Sequence, residues 1–320
     1  MKKIIFSCLL TAVVMTVSFV LGAGYFIGNY LVSFGLERGT YGGHTEPPRA
    51  FALLMPPESR QYDRPDYLSE PWELQSGDGL HLTATHFSPK VTSNKWVIVA
   101  HGYGCNQTNS YYIAENYLMM GYHVLTPDLR ASGESEGKFL TMGLYESNDV
   151  TRWAGQIAMR YPEARIVLHG VSMGAATVMM ASDDEYLPAQ VVACVEDSGY
   201  TSAFDLLAHQ MKESFGLPPF PAMNLLDWRC KEVAGFSLSK AVPLQAVKNS
   251  KVPMLFIHGL KDTLVPPAMA QELYDAAVAP RKEILFIGEA VHAAASQTGQ
   301  DQYFKTIRDF VKPYMTEDSK

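Results

Sequence analysis

The sequence has no cluster of lysine or arginine, and 26 basic against 33 acidic residues leave a formal net charge of −7. Nothing in it is built to neutralise a run of phosphates, which excludes nucleic acid as a partner. Cysteine is scarce, with four in 320 residues. Cys8 lies in an apolar N-terminal run, so Cys105, Cys194 and Cys230 remain as an odd number, which is no disulfide scaffold. Any pairing among them is not readable from spacing. No Cys-x-x-Cys, no Cys/His metal spacing, no dinucleotide fingerprint and no internal repeat occurs, so neither a metal nor another cofactor is expected. What the chain does have is apolar residues, 47% of the total, with aromatics throughout. That suffices for one large core, and a single α/β domain absorbs about 250 residues.

The N-terminus lacks charge altogether between Lys3 and Glu37. Ile4 to Phe34 is mostly Ile, Leu, Val, Phe, Ala and Gly, longer than the roughly 20 residues that span a bilayer as a helix. A cleaved secretory signal has a shorter apolar region of about 7–15 residues followed by a small-residue site. Gly22-Ala23-Gly24 offers such a site, but the apolar run continues through Tyr25, Phe26 and Ile27. The expectation is a signal anchor over 1–36, with cleavage and secretion as the alternative. Lys2 and Lys3 stay cytoplasmic in that reading and the rest of the chain lies outside the cytoplasm. Residues 37–71, rich in Pro, Gly and Arg ("EPPRA", "MPPES", "DRPDY"), read as an extended linker.

From Trp72 the pattern changes. "WELQSGDGLHLTATHFSP" reads as two alternating strands around Gly77-Asp78-Gly79. Short, nearly continuous apolar runs follow at 95–100, 123–128, 165–170, 190–196, 253–259 and 283–288, separated by helix-length segments. Strands of that kind are buried on both faces, which implies a mostly parallel sheet with helices on either side. Three of them end in His-Gly, at His101, His169 and His258. Ligands in such folds bind at the carboxyl ends of the strands. A three-histidine metal site lacks Asp, Glu or Cys partners at matching spacing. The interval from about 199 to 250 is too long for a simple crossover and reads as a helical cap over the carboxyl edge.

Residues 165–182, "RIVLHGVSMGAATVMMAS", run from a strand through Gly170-Val171-Ser172-Met173-Gly174 into a helix of small residues. This G-x-S-x-G turn lifts a serine hydroxyl above the sheet edge, and the flanking glycines permit strand and helix to close on each other. An acyl-transferring serine also needs a base, a carboxylate to orient it, and donors for the oxyanion. "FIHGLKDTLVPP" places Asp262 beyond one strand and "LFIGEAVHAAA" places His292 beyond the next. Asp197, ending "VVACVED", is the rival acid, although Asp262 has the more specific surroundings. The oxyanion donors expected are the backbone N–H groups of Met173, after the serine, and Tyr103, in His101-Gly102-Tyr103-Gly104. Cys105 lacks the elbow and is expected to be a buried thiol.

On "HGYGCN", "DLRASGESEG", "GVSMG", "HGLKDTLVP" and the late His292, the chain from about Trp72 to Tyr314 resembles the serine α/β-hydrolases. With "EDSGYTSAFD" it is similar, more narrowly, to membrane-anchored or secreted bacterial hydrolases of esterase type. The resemblance implies an eight-stranded sheet within a 72–320 domain, with Ser172 as nucleophile, Asp262 as acid and His292 as base. Two departures stand out. Val291 precedes the base where the family has Gly-x-Gly-His, and Ala131-Ser132 replaces a Gly-His. The expected activity is hydrolysis of a small-molecule carboxylic ester through an acyl-enzyme. A peptidase or thioesterase on the same triad, an acyltransferase, or a non-catalytic binding module are the alternatives.

Overall fold

A computed structural model describes residues 2–41, 44–51 and 61–315. The "MPPES" part of the expected linker lies outside these residues. Eight strands form one sheet: β3 (Ser69–Gln75), β4 (His81–Phe87), β5 (Lys95–Ala100), β6 (His123–Pro127), β7 (Arg165–Val171), β8 (Val191–Asp197), β9 (Met254–Gly259) and β10 (Lys282–Ile287). Their order across the sheet is β10-β9-β8-β7-β5-β6-β4-β3. The pairs from β10 to β6 are parallel, while β4 runs antiparallel to both β3 and β6. This is the α/β-hydrolase architecture, and β3–β4 is the hairpin expected around Gly77-Asp78-Gly79, with Gly79 at φ +92°. A small antiparallel pair, β1 (Gly39–Tyr41) and β2 (His44–Glu46), stands apart from the sheet.

The continuous apolar runs are explained by two cores. Successive strand residues point to opposite faces, so Trp96, Ile98 and Ala100 of β5 enter one cluster while Val97 and Val99 enter the other. β9 divides likewise, with Met254 and Phe256 on one face and Leu255 and Ile257 on the other. One face is covered by α2 (Tyr111–Met119) and α10 (Gln300–Val311), through stripes such as Tyr303, Phe304, Ile307 and Phe310. The opposite face takes α3 (Leu144–Arg160) through Val150, Trp153, Ala154 and Ile157. Both sets recur at the helical spacing of an apolar stripe. Between β7 and β8 runs α4 (Met173–Ala181), apolar on all sides and buried almost throughout.

The connections from β5 diverge: β6 lies on one side of it and β7 on the other. A crevice opens at such a switch point, outside the strand carboxyl ends. Here Ala100 pairs with Gly170, so the loop after β5 and the turn after β7 emerge side by side.

Within the interval expected as a cap lie α5 (Ala203–Phe215), whose N-terminal N–H of Asp205 is capped by Ser202 Oγ, and α6 (Pro219–Arg229). The N-terminal run is one helix, α1 (Lys2–Gly35). Counted over the described residues alone, no helix is long and apolar enough to cross a membrane; several side chains between 2 and 21 lie outside that description. The carboxyl half of α1 packs on the cap. A Cβ on Gly28 would stand 2.3 Å from Arg229 Cγ and 3.1 Å from the Leu225 carbonyl. Arg229 donates to Asn29 Oδ1 from Nε (3.0 Å) and Nη2 (2.8 Å), and its guanidinium lies 4.4 Å from the Tyr25 ring centre. Val32 and Leu36 are buried in the core.

Residues after Gly35 are also engaged, which the Pro/Gly-rich composition does not reveal. Arg38 donates to the Gly133 and Ser135 carbonyls, and the Ala50 amide donates to the Phe34 carbonyl. What reads as an extended linker therefore begins as part of the packed domain. Gly28→Leu is expected to destabilise the cap by about 1–3 kcal/mol, the cost of overpacking. Gly22→Leu, where a Cβ meets nothing within 4 Å, serves as the neutral control. Thermal unfolding of the full chain in detergent distinguishes them, and equal melting temperatures would contradict the packing.

Candidate active site

The turn between β7 and α4 is fixed by lack of room. A Cβ on Gly170 would lie 2.0 Å from the Gly174 carbonyl oxygen, and one on Gly174 would lie 2.1 Å from that of Ala100. The elbow between them forces Ser172 to φ +57°, ψ −117°. A non-glycine residue held there costs about 1–3 kcal/mol. Its amide donates to the Asp197 carbonyl at 2.8 Å, tying the turn to the neighbouring strand.

Two loops bring the other groups to the hydroxyl. Gly259 ends β9 where a Cβ would stand 2.3 Å from the Ala290 carbonyl oxygen, so the loop after β9 and the loop after β10 come into contact. Lys261 N–H donates to that same carbonyl at 2.9 Å. His292 Nε2 then lies 2.8 Å from Ser172 Oγ, and its Nδ1 lies 2.7 Å from Asp262 Oδ2. All three side chains are buried, at 6%, 8% and 4% exposure for Ser172, His292 and Asp262. With Nδ1–H donating to the carboxylate, Nε2 is left as acceptor for the serine proton.

Asp262 is immobilised from several sides. Oδ1 accepts from Leu264 N–H and Val265 N–H, both at 2.9 Å, and Oδ2 also lies 3.1 Å from His258 Nε2. Burial pushes its pKa up, but the hydrogen bonds of His258 and His292 outweigh this and hold it below the ordinary carboxylate range. The carboxylate is therefore ionised at neutral pH.

Val291, a departure from the family pattern, does not displace His292 from Ser172. Its side chain points outward, 51% exposed, and Ala293 takes the left-handed conformation at φ +57°. Ala293 N–H reaches Ser198 Oγ at 3.3 Å. Ala131 likewise takes φ +58° in the loop that replaces a Gly-His.

On the other side of Ser172 runs the loop after β5. A Cβ on Gly102 would lie 3.4 Å from Ser172 Cβ, an ordinary contact that keeps the loop against the serine. His101 anchors it, with Nδ1 donating to the Gly102 carbonyl (2.8 Å) and Nε2 accepting from Leu129 N–H (3.0 Å). The Tyr103 hydroxyl donates to the Gly35 carbonyl at 2.5 Å, so the end of α1 braces this loop. Among the described residues, the amides of Tyr103 and Met173 have no acceptor within the protein.

The rival residues are engaged elsewhere. Asp197 accepts from Ser198 Oγ (2.8 Å) and the Tyr303 hydroxyl (2.9 Å), and no hydrogen bond joins it to His292. His169 sits between the Tyr117 and Tyr303 hydroxyls, so the three His-Gly histidines have separate partners. Among the described residues no cluster of three or more His, Cys, Asp or Glu has the spacing to hold a metal. Cys105, Cys194 and Cys230 are free thiols, and burial pushes that of Cys105 up to about 12.

The sequence pattern of the prolyl oligopeptidase family matches residues 109–318. The chain belongs to the prolyl oligopeptidase family. The uncharacterized protein YqkD of Bacillus subtilis is 28% identical over 247 residues, 74% of this chain and 77% of its own length. Esterase Pf2001 of Pyrococcus furiosus superposes with a TM-score of 0.62 at 26% identity, covering 78% of this chain and 94% of the esterase. An acylaminoacyl peptidase of Pyrococcus horikoshii, at 19% identity and TM-score 0.58, covers 81% of this chain and 43% of the peptidase, and shares the fold. Family and likeness together support hydrolase activity of the serine type.

Within this prolyl oligopeptidase-family domain, two buried titratable residues, His258 and Glu196, are absent from the sequence reading of the site. His258 is visible there only as one of three strand-ending His-Gly pairs, and nothing in the spacing singles it out as a second partner of Asp262. Glu196 is fully buried, with Oε2 accepting from Gly199 N–H at 2.9 Å and Oε1 unpartnered among the described residues. Burial pushes its pKa up to about 8, so the folded protein keeps a proton there that the unfolded chain has lost. Between about pH 5 and 8 the unfolded state binds fewer protons, and stability falls as pH rises, by roughly 1 kcal/mol per unit. Glu196→Gln is expected to flatten that slope in melting curves measured from pH 5 to 8. Parallel slopes for variant and wild type would contradict a protonated Glu196.

Proposed function

We propose that this chain is a membrane-anchored serine hydrolase that cleaves carboxylic esters. The observation that carries the reading is the buried, continuous chain Ser172 Oγ–His292 Nε2 (2.8 Å) and His292 Nδ1–Asp262 Oδ2 (2.7 Å). His292 takes the Ser172 proton as Oγ attacks the carbonyl carbon, and Asp262 stabilises the resulting imidazolium. The amides of Tyr103 and Met173 receive the oxyanion. His292 passes its proton to the departing alcohol, then deprotonates a water that releases the acid and restores Ser172.

An ester is favoured over a peptide by the surroundings of the serine. Neither cavity that borders Ser172 is lined by Asp, Glu, Lys or Arg among the described residues, so no side-chain charge is at hand to grip a peptide terminus. The coverage of 94% of the Pyrococcus furiosus esterase points the same way.

Membrane attachment is supported by the composition of α1, by Lys2 and Lys3 at its start, and by exposed Tyr25, Phe26 and Tyr30 toward its carboxyl end, where aromatic side chains suit an interface. A yeast relative, 26% identical over 196 residues, is named a membrane protein. The catalytic domain then lies on the extracytoplasmic side.

The test uses the full chain in isolated membranes, with p-nitrophenyl esters as substrate and a fluorophosphonate as label. Turnover is expected to sediment with the membranes and to be released by detergent but not by high salt. Ser172→Ala and His292→Ala should each lose about a million-fold in kcat, with labelling abolished in the first. Asp262→Asn should fall by about ten-thousand-fold through the wrong imidazole tautomer. Ester turnover that survives Ser172→Ala would end this mechanism.

A further inference from the structure

The substrate's two halves meet unequal space. Two cavities share Ser172 as a wall: one of about 300 Å³ and one of about 40 Å³. The larger is bordered by Val291, His292, Ala293 and Ala294, the loop that carries the base. The smaller is bordered by Tyr103 and Met173, whose amides are free, and is roofed by Leu206 and Leu207 of the cap helix α5.

The chemistry of acyl transfer assigns each cavity a role, given Ser172 as nucleophile; this step rests on the function proposed above. In the tetrahedral intermediate the acyl carbon bears Oγ, the oxyanion, the leaving atom and the acyl chain. His292 must deliver its proton to the leaving atom, so the leaving group occupies the side where the His292 loop forms the wall. The acyl chain then points past the oxyanion amides, under α5. We infer that the substrate is a short-chain acyl ester, of about four carbons or fewer, of a bulky uncharged alcohol or phenol.

The limits come from the walls. At about 40 Å³ against about 300 Å³, the smaller cavity leaves room for only a short acyl chain. Its walls do not yield readily: Gln210 Nε2 donates to the Leu264 carbonyl at 2.5 Å and the Tyr200 hydroxyl donates to the Met142 carbonyl at 3.0 Å, tying cap to core. The larger cavity falls at the lower end of ordinary small-molecule sites, about 300–1,000 Å³. It offers the faces of Tyr62 and Tyr112, stacked with centroids 5.3 Å apart, and Gln297 Nε2 holds the Tyr62 hydroxyl at 2.8 Å. With no carboxylate or ammonium lining it among the described residues, it suits an aromatic or other neutral group.

The test measures kcat/KM of the full-length protein on p-nitrophenyl acetate, butanoate, hexanoate and octanoate, and on 1-naphthyl acetate. Wild type is expected to lose about tenfold or more between butanoate and octanoate, the discrimination that misfit methylenes give. It should accept 1-naphthyl acetate at least as well as p-nitrophenyl acetate. Leu207→Ala should raise the octanoate-to-acetate ratio by about tenfold. A flat or rising profile in wild type would overturn the short-acyl assignment while leaving ester hydrolysis intact. An unchanged ratio in a folded Leu207→Ala protein would overturn the placement of the acyl chain under α5. Failure to hydrolyse any ester, with Ser172 unlabelled by fluorophosphonate, would instead remove the underlying function and this inference with it.

Discussion

One backbone contact governs the site. Gly174 of α4 lies so close to the end of β5 that a Cβ would stand 2.1 Å from the Ala100 carbonyl oxygen. Because helix and strand approach this far, the turn between β7 and α4 has no relaxed conformation available, and Ser172 is left at φ +57°. The same approach puts the loop after β5 against Ser172, with the amides of Tyr103 and Met173 on that side. The strain of about 1–3 kcal/mol is offset by the burial of α4, in which Ala175, Ala176, Val178 and Met179 are all fully buried. The placement of the hydroxyl at the sheet edge is thus a consequence of packing in the core.

Asp262 and His292 depend on a second contact of the same kind, between Gly259 and the Ala290 carbonyl. It joins the loops after β9 and β10, and the hydrogen bonds then accumulate on Asp262: two amides on Oδ1 and two imidazoles at Oδ2. A carboxylate held by so many donors stays ionised in spite of burial and keeps its orientation toward His292. Glu196, a few residues from Ser198 on β8, shows the opposite balance. It has one donor, and its proton is retained up to about pH 8. Two buried carboxyls at one sheet edge thus take opposite charge states, because the number of donors around them differs.

Legibility in the sequence followed from how local each constraint is. The elbow is encoded in five consecutive residues, and the buried strands in runs such as "WVIVA" and "MLFIH", so both read directly. Asp262 and His292 read because each follows a strand at the same edge. His258 did not, since its His-Gly looks like those at His101 and His169, whose partners in space are a carbonyl with a backbone amide and a pair of tyrosines. The left-handed conformation of Ala293 was hidden too, because alanine carries no signature of positive φ. The apolar run to Phe34 masks a second role for α1: Gly28 fits against Arg229, and the Gly35 carbonyl receives the Tyr103 hydroxyl. Hydropathy reports the average character of a helix and says nothing of which neighbour fills a glycine notch.

The central claim is that Ser172, and no other group, carries the acyl intermediate. The most direct measurement traps it: the full-length protein is mixed with a p-nitrophenyl ester, quenched in acid within the first turnover, and the acylated peptide is located by mass spectrometry. The account expects a stoichiometric burst of p-nitrophenol and a single acyl group on the peptide containing Ser172, with neither in His292→Ala. An acyl group on Cys105 or Ser198, or turnover with no acylated peptide, would contradict it.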